Sequence, residues 1–171
     1  YDAAISPNGN IPVHAFNLIS PTFFANSSTG NKYSLWVNVY GVSERYLNVY
    51  GEKDLRAQMN QFFHRTYTHP VDGTTLDMKM LCNWYWYDET AILETGKGTK
   101  DWNFYRYAET LLSAAEAIAQ SSGVNAEAAG YLAQVKARAN MEGKDVSTIA
   151  SELQRLGKQA FIEECWKERL R

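Results

Sequence analysis

Residues 102–120 read WNFYRYAETLLSAAEAIAQ, and apolar residues recur in this stretch at steps of four and three positions. Residues at this spacing lie on one face of an α-helix, so the stretch predicts a helix with a core-facing stripe. The members of the stripe are Phe104, Ala108, Leu111, Ala115 and Ile118. Asp101 stands where a capping side chain is expected, and Gly123 stands where the helix is expected to end.

A second helix is expected to pack on the first one through small side chains. The first helix carries five alanines, which let a partner helix approach closely. Residues 125–140 repeat the apolar spacing after a short connection, with Asn125 at the expected cap and Gly143 beyond the expected end. Two such helices pack antiparallel. A third helical segment is expected to open after Asp145 and to kink or break near Gly157.

The first part of the chain has a different pattern. Residues 33–40, YSLWVNVY, and residues 77–87, DMKMLCNWYWY, alternate in polarity, which predicts two strands. Apolar spacing and turn-forming residues predict three further elements between these strands. They are a helical turn within 43–51, a longer helix over 52–64 and a turn around Pro70 over 66–73.

The expected fold class is mainly α. Helical pairs of about 34 residues are typical of tetratricopeptide repeats, and residues 102–139 predict one such pair. We therefore expect tetratricopeptide-like helical hairpins with an irregular, β-containing N-terminal part. One structural unit is expected, made of a loop-rich segment, 1–101, and a helical segment, 102–171. Because no residue that ends a helix precedes Arg171, we expect an incomplete domain that is truncated at its C-terminus.

The two predicted strands carry aromatic side chains beside an amide. This combination stacks on a sugar ring and forms hydrogen bonds with its hydroxyl groups. The candidate glycan-binding residues are Trp36, Asn38, Tyr40, Asn83, Tyr85 and Tyr87. The other face of the second strand, which includes Met78, Cys82 and Trp84, is expected to belong to the core. Large aromatic residues are mostly buried in proteins, so packing of the candidates against a loop or a helix remains the alternative.

Charge and composition argue against several classes of function. The net charge is −2 and the isoelectric point is about 5.9, with no basic stripe, so nucleic acid is not an expected partner. No apolar run approaches the ~20 residues of a membrane-spanning helix. The spacing of His14, His64 and His69 fits no metal site, and residues 94–100 lack the pattern of a phosphate-binding loop. Neither a metal nor a cofactor is therefore expected.

The sequence contains no arrangement that favours catalysis. Asp88 and Glu89 are adjacent, and adjacent side chains of an extended chain point apart. Glycoside hydrolysis needs two carboxyl groups that face each other across the sugar. The two cysteines, Cys82 and Cys165, form either a disulfide or two buried thiols.

Four short motifs occur in order between residues 43 and 171. They are Asp54-Leu55-Arg56, then RYAETLL at 106–112 followed by AAEA at 114–117, then VKARA at 135–139, and finally Glu168-Arg169. With these motifs the chain resembles the SusD/RagB family, the surface glycan-binding lipoproteins of Gram-negative nutrient importers. The resemblance implies that Asp54 and Arg56 hold loops together through hydrogen bonds and an ion pair.

The resemblance also implies a function. It implies a non-catalytic, glycan-binding component of a SusC/SusD-type uptake system, which captures oligosaccharide for a SusC-like TonB-dependent transporter. The implied location is the outer surface of the outer membrane, held by a lipid anchor that this chain does not carry. Two alternatives remain open: a tetratricopeptide-type protein-interaction module, and a carbohydrate-active enzyme.

Overall fold

The computed structural model of this 171-residue chain describes residues 42–71, 73–84, 87, 89 and 103–171. The described residues fall into two compact units. One unit, called here the hairpin unit, comprises 42–47 and the described residues from 57 to 89. The other, called the helical unit, comprises 48–56 and 103–171. The strand predicted over 33–40 lies outside the described residues.

The hairpin unit contains a short helix and two paired strands. Helix α1 spans Glu44–Leu47, strand β1 spans Phe63–Thr68 and strand β2 spans Thr75–Asn83. The strands are antiparallel, with Phe63 opposite Asn83, Thr68 opposite Thr75, and a bulge between His64 and Thr66. The helical turn expected within 43–51 is thus confirmed. The strand predicted over 77–87 is present as β2, but it begins two residues earlier and ends at Asn83.

The turn between the strands is shorter than the sequence predicts. It is closed by the Gly73 N–H, which donates to the His69 carbonyl at 2.9 Å, and by the His69 N–H, which donates to the Thr74 carbonyl at 2.8 Å. Gly73 has a φ of 72°, a conformation that glycine adopts without a steric cost. The turn around Pro70 is therefore present, but β1 continues up to Thr68.

The helix predicted over 52–64 is wrong. Within this range, Leu55–Ala57 forms a single 3₁₀ turn, and Phe63 and His64 belong to β1. The side chain of Asp54 accepts a hydrogen bond from the Arg56 N–H at 3.0 Å, and the Leu55 N–H donates to the distant Ala139 carbonyl at 2.8 Å. These bonds compete with the helical ladder for the same backbone groups.

The helical unit contains four helices. They are α2, Tyr107–Ser122; α3, Ala126–Ala137; α4, Val146–Leu153; and α5, Lys158–Leu170. Three of the expected helix boundaries are confirmed: α2 ends at Gly123 with a φ of 82°, α3 is capped by Asn125, and α4 by Asp145. The expected break near Gly157 is also confirmed, because this residue precedes α5.

Helix α2 begins five residues later than predicted. Its N-cap is Arg106, and Phe104, which was assigned to the core stripe, is 89% exposed. Four of the six residues 102–107 are aromatic, and aromatic side chains lose rotamer freedom in a helix, whereas strong helix formers follow from Ala108 onward. The predicted cap, Asp101, lies outside the described residues.

The core of the helical unit is the seam between α2 and α3, with α4 packed on α3 and α5 packed on α2. Ala115, Ala119, Ala128 and Ala129 have no exposed surface, as expected for two helices that approach through small side chains. The rest of the core consists of Leu111, Leu112, Leu132, Ala133, Val135, Ile149, Leu153, Phe161, Ile162 and Cys165. The mainly helical fold prediction, with its antiparallel hairpin, is confirmed.

Candidate functional site

The hairpin unit contains a group of four aromatic rings, His64, Tyr67, Trp84 and Tyr87, called here the aromatic cluster. His64 and Tyr67 belong to β1, whereas Trp84 follows the last residue of β2. The Trp84 N–H donates to the Phe62 carbonyl at 2.7 Å, which holds this residue beside β1. The Tyr87 N–H donates to the Trp84 carbonyl at 3.0 Å, and the Tyr87 ring lies next to the Trp84 ring.

The rings of the aromatic cluster are stacked. The centroids of His64 and Trp84 are 4.4 Å apart with an angle of 18° between planes, and those of Trp84 and Tyr87 are 4.8 Å apart, also at 18°. Tyr67 is tilted, with its centroid 5.7 Å from Trp84 and 5.8 Å from Tyr87. All four separations suit favourable ring contacts. Tyr67 is buried while the other three rings are half-buried, so Tyr67 forms the floor of a partly accessible stack.

A short chain of hydrogen bonds fixes the tyrosines of the aromatic cluster. The Tyr67 and Tyr87 hydroxyl oxygens are 3.2 Å apart, and the Tyr87 hydroxyl donates to Glu89 Oε2 at 3.3 Å. A phenol has one proton, so the Tyr67 hydroxyl donates to Tyr87 when Tyr87 donates to Glu89. Burial raises the pKa of Tyr87 above its ordinary value of 10.0, with help from the Tyr67 bond, so the phenol stays protonated.

The imidazole of His64 is neutral at pH 7. Burial lowers its pKa from the ordinary value of 6.5, and its hydrogen bond with the Gln61 backbone offsets only part of this effect. The aromatic cluster therefore offers uncharged ring faces next to one exposed carboxylate, Glu89. Uncharged faces beside hydrogen-bonding groups suit a polyhydroxylated ligand.

A sequence model of the SusD family matches residues 24–171. The chain belongs to the SusD family. A comparison with solved structures finds a SusD superfamily protein from Parabacteroides distasonis ATCC 8503, with 23% sequence identity and a TM-score of 0.67. The match covers 91% of this chain and 32% of that protein, so the chain spans about a third of its length. No curated protein matches the chain.

The predicted glycan-binding residues of this SusD-family chain are only partly described. Tyr87 lies in the aromatic cluster, and Asn83 is the last residue of β2. The remaining candidates, Trp36, Asn38, Tyr40 and Tyr85, lie outside the described residues. The prediction that Trp84 belongs to the core face opposite Tyr87 is wrong, because β2 ends at Asn83 and strict alternation of faces ends with it.

Two members of the aromatic cluster were missed in the sequence. The helix predicted over 52–64 contained His64, and the turn predicted over 66–73 contained Tyr67. The segment FHRTYT is rich in aromatic and β-branched residues, which is the composition of a strand. This composition is the feature of the sequence that indicates a strand at these residues.

The motif residues of the SusD family meet in the helical unit. Arg56 donates to both carboxylate oxygens of Asp54, at 2.9 Å and 2.7 Å, and its Nη1 donates to Glu168 Oε1 at 2.8 Å. Glu168 Oε2 accepts from Arg171 Nη1 at 2.9 Å, and the Glu168 side chain has no exposed surface. The predicted ion pair of Asp54 and Arg56 is confirmed, and its further partner is the buried Glu168. This network ties the segment 48–56 to α5.

A cavity of about 280 Å³ lies beside this network, lined in part by Lys136, Lys144, Glu142 and Glu152. Lys144 forms ion pairs with Glu142 at 2.8 Å and with Glu152 at 2.9 Å, and Lys136 pairs with Glu164. These charges are engaged with one another, which favours a structural role for the cavity lining.

Among the residues that the structure describes, no three His, Cys, Asp or Glu side chains are grouped as metal ligands. In the same residues, every helix is too short or too polar to span a bilayer.

Proposed function

We propose that this SusD-family chain is a non-catalytic, glycan-binding component of an outer-membrane nutrient uptake system. In this proposal it captures oligosaccharide at the cell surface and delivers it to a SusC-like TonB-dependent transporter. Family membership over residues 24–171 supports the glycan-binding role. The observation that carries the proposal is the stack of half-buried rings at Trp84 and Tyr87, held over the buried Tyr67.

The proposed mechanism of capture follows from the chemistry of these rings. The outer face of the Tyr87 phenol, which stacks on Trp84 through its inner face, covers the C–H face of a sugar and excludes water from it. Nearby carboxylate and hydroxyl groups bind the sugar hydroxyls. Ring contacts within the aromatic cluster fix its side chains before the ligand arrives, which lowers the entropy cost of binding. A few contacts of this size give reversible binding, and delivery to a transporter requires reversible binding.

The proposed ligand set extends the aromatic cluster with the residues predicted from sequence. It consists of Trp84 together with Trp36, Asn38, Tyr40, Asn83, Tyr85 and Tyr87. In this proposal a lipid anchor holds the site at the outer membrane.

A panel of neutral oligosaccharides tests this proposal. Maltohexaose, cellohexaose, mannohexaose and galactohexaose are titrated into the protein by calorimetry, and parallel incubations are examined for shortened products by chromatography. Binding of at least one hexamer without shortened products is the expected result. Shortened products would indicate an enzyme, and the absence of binding to all four hexamers would count against the glycan-binding role.

A further inference from the structure

We propose that Glu89 makes the aromatic cluster selective for neutral sugars over sugars that carry a carboxylate. This inference rests on the proposed glycan-binding function and deepens it by naming the class of glycan. It starts from the position of the Glu89 carboxylate at the accessible edge of the ring stack, bonded to the hydroxyl of Tyr87.

The direction of the hydrogen bonds determines what this edge accepts. The Tyr87 proton is used in the bond to Glu89, and the Tyr67 proton in the bond to Tyr87. An ionised carboxylate accepts hydrogen bonds and donates none. Among the residues that the structure describes, Tyr87 is the donor to Glu89, and a carboxylate has further acceptor positions. A sugar hydroxyl supplies the donor that these positions need, whereas the carboxylate of a uronic acid does not.

Charge adds to this difference. A sugar stacked on the outer face of Tyr87 places its substituents within several ångströms of Glu89, where two negative charges repel each other appreciably even with partial solvent screening. Protonation of His64 does not offset this repulsion at pH 7, because burial keeps its pKa below 6.5. Rejection of a ligand through an unfavourable charge contact is a common source of specificity.

Matched ligands and variants test the proposal. The probes are the four neutral hexamers used above, each in its native form and after oxidation of the primary hydroxyl groups to carboxylates. The protein, Glu89→Gln and Glu163→Gln are titrated with each pair at pH 7. Glu163 is an exposed carboxylate of α5, so its replacement gives the same change in net charge away from the aromatic cluster.

The unsubstituted protein is expected to bind a native hexamer about tenfold or more tightly than its oxidised form. Glu89→Gln should reduce this ratio several-fold, and Glu163→Gln should leave both the ratio and the affinity for the native hexamer unchanged. An unchanged ratio in Glu89→Gln would overturn the proposal. Tighter binding of the oxidised form would also overturn it and would point to a cation such as Arg65 on β1. Failure of every native hexamer to bind contradicts the proposed function itself.

Discussion

Glu168 lies between two guanidinium groups and has a side chain with no exposed surface. It accepts from Arg56 at 2.8 Å and from Arg171 at 2.9 Å. Removal of one partner from a buried ion network leaves uncompensated charge, which costs much more than the loss of an exposed pair. The stability of the fold should therefore be sensitive to substitution of Glu168.

Glu168→Ala should destabilise the protein by roughly 3–5 kcal/mol, because it leaves Arg56 and Arg171 facing each other without their shared carboxylate. Urea unfolding followed by circular dichroism measures the change. Glu163→Ala, on the exposed face of the same helix, is the control and should cost less than about 0.5 kcal/mol. Similar losses in the two variants would contradict the buried role of Glu168.

Acid should weaken the helical unit. Burial raises the pKa values of Asp54 and Glu164 and is the largest single effect on each. Hydrogen bonds and charge attraction from Arg56, Lys136 and Arg171 together outweigh it, so both pKa values end below their ordinary values of 3.8 and 4.5. A carboxyl whose pKa is lowered on folding stabilises the fold above its unfolded pKa. It loses that contribution as the pH falls through the folded pKa.

These two groups should therefore change the melting temperature little between pH 7 and about pH 5.5. The melting temperature should then decrease as the pH is lowered beyond about 4.5. The double variant Asp54→Asn, Glu164→Gln should be less stable at pH 7 and should show a shallower acid decrease. Differential scanning calorimetry across this pH range is the measurement. An acid decrease as steep in the double variant as in the unsubstituted protein would assign the effect to other carboxyl groups.

At the scale of the elements, the α2–α3 hairpin depends on closely packed alanines, which leave no space for a larger side chain. Ala115→Leu should destabilise the protein by about 1–3 kcal/mol, because the added atoms force the two helices apart or into strained rotamers. Ala117→Leu is the matched control, since Ala117 lies on the exposed side of the same helix. Chemical denaturation distinguishes the two variants, and an equal effect of both would mean that the alanine seam is not closely packed.

Boundaries of the helices were predictable where the signal was local. Asn125, Asp145 and Gly157 stand next to the residues they cap or interrupt, so their roles follow from neighbouring residues alone. The failed helix over 52–64 shows the opposite case. There the Leu55 N–H bonds with the carbonyl of Ala139, 84 positions away, and no local pattern indicates such a partner.

At the scale of the whole molecule, the motifs identified the family better than they identified the site. Residues of two of the four motifs, Asp54-Leu55-Arg56 and Glu168-Arg169, meet in the ion network of Asp54, Arg56 and Glu168, which is a structural feature. The aromatic cluster depends on where β2 ends and on the hydrogen bond that the Tyr87 N–H donates to the Trp84 carbonyl. Alternation of polarity therefore predicted Tyr87 as a candidate binding residue, but it placed Trp84 on the wrong face of the strand.

The central claim is that the aromatic cluster binds the sugar ring, and the affinity of the Trp84→Ala variant for the best-binding neutral hexamer tests it most directly. Loss of the indole should weaken binding about tenfold, or ~1.4 kcal/mol. Trp84→Phe should stay within about threefold of the unsubstituted protein, and Phe104→Ala, at an exposed ring of the helical unit, should bind normally. Unchanged affinity in a folded Trp84→Ala protein would contradict the account.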